Sequence, residues 1–118
     1  MQKPTVLVVE DEVLVRLMLG DALRDAGYAV IEAAHADEAV AVLRSATQVD
    51  LVLTDIRMPG TLDGLALARI ARDEFPHLKV VLASAYSLQP WEADAHAVIR
   101  KPYNVAEVTA RVRELIGE

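Results

Sequence analysis

The 118 residues are 53% hydrophobic, enough to build a core without staples, and carry a formal charge of −6 with no cysteine. The acidic balance, with 12 scattered Lys and Arg, disfavours a grip on nucleic acid, which needs clustered cations against phosphates. The missing cysteine excludes a disulfide framework, a thiolate metal site and a cysteine nucleophile, and the apolar runs fall short of the ~20 residues that a membrane-spanning helix requires.

Short Val, Ile and Leu-rich runs alternate with stretches of helical period. The first run, TVLVV (5–9), leads straight into Glu10, Asp11 and Glu12. Leu14, Leu17, Met18 and Ala22 then recur at helical spacing. Val15 and Leu19 make this helix apolar on more than one side, for core packing or, alternatively, for a partner or self-association surface. Gly27 is placed to end it, where a positive φ is needed. AVIEA (29–33) predicts a second strand, and Ala36, Ala39, Val40 and Leu43 a second helix. LVLTD (51–55) predicts a third strand ending on Asp55. Gly64, Leu67, Ala68, Ala71 and Phe75 mark the helix after it. VVLAS (80–84) predicts a fourth strand ending on Ser84, and Pro90 suits a first helical position. AVIRK (97–101) ends on Lys101. Asn104, with Glu107 three residues on, caps a last helix through Val105, Val108, Val112 and Leu115. His35, His77 and His96 show no ligand spacing and read as solvated side chains.

Strands that scarcely alternate are covered on both faces, so the chain predicts an α/β fold, a five-stranded parallel sheet flanked by helices. In such sheets ligands sit beyond the carboxyl ends of the strands. Those ends carry Glu10, Asp11, Asp55, Ser84 and Lys101. Each alone has an ordinary explanation: surface charge, a turn or cap, a local backbone hydrogen bond, a solvated lysine. Together they suggest a hard cation such as magnesium, Mg²⁺, tolerating the crowded acids, with Lys101 and Ser84 facing a phosphoryl group. A carboxylate there can also be the nucleophile that forms an acyl phosphate.

The segments VVEDE (8–12), LVLTDIRMPGTLDG (51–64), VLAS (81–84) and KPYN (101–104) closely resemble, in order, the receiver domain of two-component response regulators. The resemblance covers residues 1–118 as one receiver domain and implies a flavodoxin-like sheet of order 2-1-3-4-5. It implies Asp55 as phosphoacceptor and Glu10, Asp11, Asp55 and the Arg57 main-chain carbonyl as Mg²⁺ ligands. Ser84 and Lys101 would meet the phosphoryl group, and the Lys101–Pro102 bond is expected to be cis. Met58 and Pro59 would turn the chain after the strand. The implied donor is a phosphohistidine on a histidine kinase or histidine phosphotransfer protein, the output passes through protein contacts, and the location is cytoplasmic. No nucleic-acid or membrane partner is expected within these residues. A receiver-like module that docks partners without cycling phosphate is the alternative. A phosphatase using Asp55 as a transient nucleophile is disfavoured, because such enzymes usually carry an Asp where Arg57 stands.

The chain departs from the family's pattern in three places. MPGTLDG holds one residue more than is usual, to be absorbed by a turn at Gly60. The interval from Ser84 to Lys101 is short, predicting an abbreviated fourth helix over Pro90 to His96 or a partly irregular segment there. Val98 stands where relatives often carry an aromatic; Tyr86 and Trp91 are expected to pack, with substitution for that aromatic as the alternative. Arg57 and Tyr86 are expected to border the path of water attacking the phosphorylated aspartate.

Overall fold

The computed structural model describes residues 3–57, 60, 62–92 and 94–117; Met58, Pro59 and the Trp91 side chain, assigned roles above, lie outside the described set. The elements run β1 (Thr5–Val9), α1 (Val13–Asp25), β2 (Ala29–Ala33), α2 (Ala36–Arg44), β3 (Leu51–Asp55), α3 (Gly64–Glu74), β4 (Lys79–Ser84), β5 (Ala97–Arg100) and α4 (Val105–Ile116). The strands are parallel, in the order β2-β1-β3-β4-β5. The fold is therefore the predicted one, and all five carboxyl ends reach the same edge.

Both faces of the central strands are buried, which is why their sequences are nearly continuous apolar runs. On one face Leu7, Val9, Val52, Val80 and Leu82 pack against α2 and α3 through Ala36, Ala39, Val40, Leu67, Ala68 and Ala71. On the other, Val6, Val8, Leu51, Leu53, Val81 and Ile99 meet Leu19 and Leu23 of α1 and Val108 and Val112 of α4. Three helices begin with a side chain that accepts a backbone N–H: His35 from Glu38, Asp63 from Ala66 and Asn104 from Glu107. Gly117 closes α4 in the left-handed conformation, φ 85°. Gly60, at φ 112°, has the unusual turn expected beside the extra residue.

Three expectations take a definite form. The helical stripe at Leu14, Leu17 and Met18 faces solvent, with Leu14 81% exposed, whereas Leu19 and Leu23 are buried and Val15 packs against them. Both stripes have helical spacing, so periodicity could not choose between them. The segment before β5 takes the irregular alternative: among the described residues it holds a 3-10 turn at Pro90–Glu92 and no α-helix. Asp94, at φ 54°, cannot continue a right-handed helix, and its carboxylate is held by Arg72 and Arg69 of α3. Two histidines are backbone acceptors as well as solvent-facing side chains: half-buried His35 caps α2, and exposed His96 accepts the Val80 N–H on Nδ1 at 3.0 Å while its own N–H donates to Val80 O at 2.8 Å.

The His96 pairing extends the β4–β5 ladder by one residue and requires an unprotonated Nδ1. Burial, with Lys79 nearby, lowers the His96 pKa below the ordinary 6.5. The unfolded chain therefore takes up the proton first, so the stability His96 contributes is present above pH 6.5 and is lost as pH falls below it. Between pH 6.5 and 5 the melting temperature of the native chain should fall more steeply than that of His96→Asn, whose amide oxygen accepts at any pH. Parallel curves would refute this role.

Candidate functional site

The carboxyl edge of the sheet gathers side chains from four strand ends. Glu10 follows β1, its N–H donating to Ala33 O of β2 at 3.0 Å. Its side chain is 5% exposed, and its Oε2 accepts the N–H of Glu12, the N-cap of α1, at 3.0 Å. Asp11 is exposed at the turn. Asp55 ends β3. Its carbonyl accepts the Thr54 hydroxyl at 2.9 Å, and its carboxylate is ion-paired with Lys101, which follows β5. One oxygen from each of Glu10, Asp11 and Asp55 lies within 4.8 Å of the others.

Gly64 permits this arrangement. The first residue of α3 donates its N–H to Ile56 O at 2.7 Å, so the helix start presses on the end of β3. A Cβ at Gly64 would lie 2.0 Å from the Asp55 carbonyl oxygen. The Asp-Gly pair, Asp63 capping and Gly64 yielding space, thus seats α3 against the acid it follows.

Ser84 ends β4 and is buried; its Oγ accepts the Tyr86 N–H at 3.0 Å, the local bond that its residue type favours. Ser84 O in turn accepts the Lys101 N–H at 2.7 Å, which ties the β5 end to β4. The Lys101–Pro102 peptide is cis. Arg57 and Tyr86 face each other across the β3 and β4 ends, the guanidinium 5.9 Å from the ring centroid. With Ile56, Ala83, Ser84 and Ala85 they line a cavity of about 170 Å³. Tyr86 is 61% exposed and so fills no buried place left by Val98, which is half-buried on the α2–α3 side.

The electrostatics follow from the crowding. Burial raises the Glu10 pKa to about 7; the Glu12 N–H opposes the rise, and Asp55 and Asp11 add to it. Tyr103, half-buried beside Lys101, Pro102 and Met18, is pushed up to about 12 by burial and by the negative Glu10, Asp55 and Glu12. Three carboxylates that each bring one oxygen within 4.8 Å of the others fit a hard divalent ion, which prefers oxygen donors. Glu10, Asp11, Asp55, Ser84 and Lys101 are all brought to one edge, as the strand pattern predicted. Three contributors carried no functional expectation: Arg16, whose guanidinium reaches the Glu10 carbonyl at 2.8 Å, Tyr103, and Gly64 beyond its helical face.

A family model for the response regulator receiver domain matches residues 6–113. The chain belongs to this family. This receiver domain is 38% identical to the transcriptional regulatory protein BaeR of Escherichia coli O6:H1, over 96% of the chain and 48% of BaeR. It superposes on a CheY-like receiver domain protein from Methanospirillum hungatei JF-1 with TM-score 0.89 at 26% identity, covering 98% of this chain and 95% of the other. It is also similar to the response regulator TrrA of Thermotoga maritima, whose structure is a complex with Mg²⁺-BeF; the TM-score is 0.84 at 33% identity, with 95% and 98% of the two chains covered. The chain spans about half the length of the curated relatives it matches, or less. Receiver domains serve two-component signal transduction and generally bind Mg²⁺ through an acidic pocket, and this receiver presents such a cluster. Among the described residues, no helix is long and apolar enough to cross a membrane.

Proposed function

We propose that residues 1–118 act as one receiver in which Asp55 accepts a phosphoryl group from a phosphohistidine on a histidine kinase or histidine phosphotransfer protein, in the cytoplasm. The observation that carries this reading is the ion pair between Asp55 and Lys101 directly beside Glu10 and Asp11. Glu10, Asp11, Asp55 and the Arg57 carbonyl would hold Mg²⁺, which supplies charge neutralisation to the phosphoryl oxygens. The Asp55 carboxylate attacks phosphorus. An O–P bond forms as the donor P–N bond breaks, and the departing imidazole keeps the electron pair and takes up a proton. Lys101 then offsets the charge that Asp55 acquires, and the Ser84 hydroxyl meets a phosphoryl oxygen. Water later attacks phosphorus, regenerating the carboxylate and releasing inorganic phosphate. The phosphorylated form biases a two-state equilibrium that is read out by protein contacts. The exposed Leu14, Leu17 and Met18 of α1, beside the acid turn, support a protein partner on that side.

Incubation with acetyl phosphate and Mg²⁺ should add one phosphoryl group to the intact protein, read by mass, and chelation of the metal should prevent it. A chain that stays unmodified while retaining its fold would favour the non-cycling docking module.

A further inference from the structure

We infer that Arg16 is a positioning residue for the acid pair, holding the main chain of Glu10 so that the Glu10 and Asp11 carboxylates meet Asp55. The inference rests on the proposed Mg²⁺ role of those acids. Pairing of β1 with β3 ends at Val9, opposite Thr54. The Glu10 N–H is taken by β2, but its carbonyl points to a side chain, the Arg16 guanidinium at 2.8 Å. Arg16 reaches back six residues over the start of α1 and closes the turn that carries both acids.

Arg16 is itself held. Its Nε lies 3.4 Å from Glu32 Oε1, and its side chain is 17% exposed. Glu32 sits on β2 in register with Val8, and its other oxygen pairs with Arg24 at 3.0 Å. Between the two arginines is Gly20, where a Cβ would lie 3.0 Å from Glu32 Oε2. Arg16, Gly20 and Arg24 recur every four residues, so one stripe of α1 forms a notch with a cation at each end and the Glu32 carboxylate inside. The forked guanidinium serves two acceptors at once, which a point charge does less well. The same rotation of α1 that buries Leu19 and Leu23 turns Leu14, Leu17 and Met18 outward. Arg24 shares Glu32 but makes no bond to the acid turn, so it separates anchoring of the helix from positioning of the site.

The test is Mg²⁺ affinity by calorimetric titration, with melting temperature in chelator as the measure of fold. Removal of groups that orient metal ligands typically costs 10–100-fold in affinity. Arg16→Met should therefore weaken Mg²⁺ binding about tenfold, and Arg16→Lys by a few-fold. Arg24→Met, which removes the other and more exposed partner of Glu32, should bind Mg²⁺ within about twofold of the native chain. If Arg16→Met does not fold, the Arg16→Lys and Arg24→Met pair decides alone. Equal losses of affinity in the Arg16 and Arg24 variants, or none in either, would overturn the positioning role. Failure of the native chain to bind Mg²⁺ would instead overturn the proposed function on which it rests.

Discussion

Gly64→Ala is expected to lose about 3 kcal/mol of stability or more, measured by urea unfolding, and to accept no phosphoryl group under conditions where the native chain is fully modified. Helix propensity argues the other way, since Ala improves on Gly by about 1 kcal/mol within a helix. The steric effect wins because the obstacle is backbone. The new Cβ would lie 2.0 Å from the Asp55 carbonyl oxygen and 2.8 Å from both the Asp55 carbonyl carbon and the Ile56 Cα. No rotamer relieves that contact, so α3 must lift away or the end of β3 must move, taking Asp55 with it. A variant as stable as the native chain would show that α3 does not press on β3 as described.

Lys101→Met is expected to leave stability within about 1 kcal/mol, because a partly exposed ion pair contributes little. Its effect falls on the reaction. The Lys101 ammonium is paired with the Asp55 carboxylate and is about one-third exposed, close enough to offset charge as the acyl phosphate forms. Removing one such group from a site where charge develops typically costs 10²–10³-fold in rate. Phosphorylation by acetyl phosphate, followed by intact mass over time, should slow by about that factor. Lys101→Arg should restore little of it, since a broad planar guanidinium does not replace a compact ammonium in a confined place. A rate within threefold of native, roughly the scatter of such single-group effects, would remove Lys101 from the mechanism.

The parts of this molecule that were legible in its sequence are those with a single solution. TVLVV, LVLTD and VVLAS can be covered on both faces only inside a parallel sheet, and a parallel sheet brings Glu10, Asp11, Asp55, Ser84 and Lys101 to one edge. The helix boundaries at Asn104 and Gly27 were legible because caps act locally. What was not legible depends on tertiary partners. The rotation of α1 depends on Leu19 and Leu23 meeting the sheet and on Glu32 pairing with Arg16 and Arg24, contacts between elements that no periodicity contains. His96 became an acceptor because β4 presents the Val80 N–H to it. The 3-10 turn before β5 replaces a helix because Asp94 takes a left-handed conformation against arginines of α3. Gly64 could be seen as part of a helical face, but not as the point where that helix meets Asp55.

The account stands on Asp55 being the atom-bearing acceptor at the acid edge. Its most direct test is reductive trapping: exposure to acetyl phosphate and Mg²⁺, reduction of the acyl phosphate with borohydride, and peptide mapping by mass spectrometry. The expected product is a single reduced aspartate at position 55, lost entirely in Asp55→Asn. Reduction at another acid, a phosphoryl group on a hydroxyl or imidazole, or modification that persists in Asp55→Asn would contradict it.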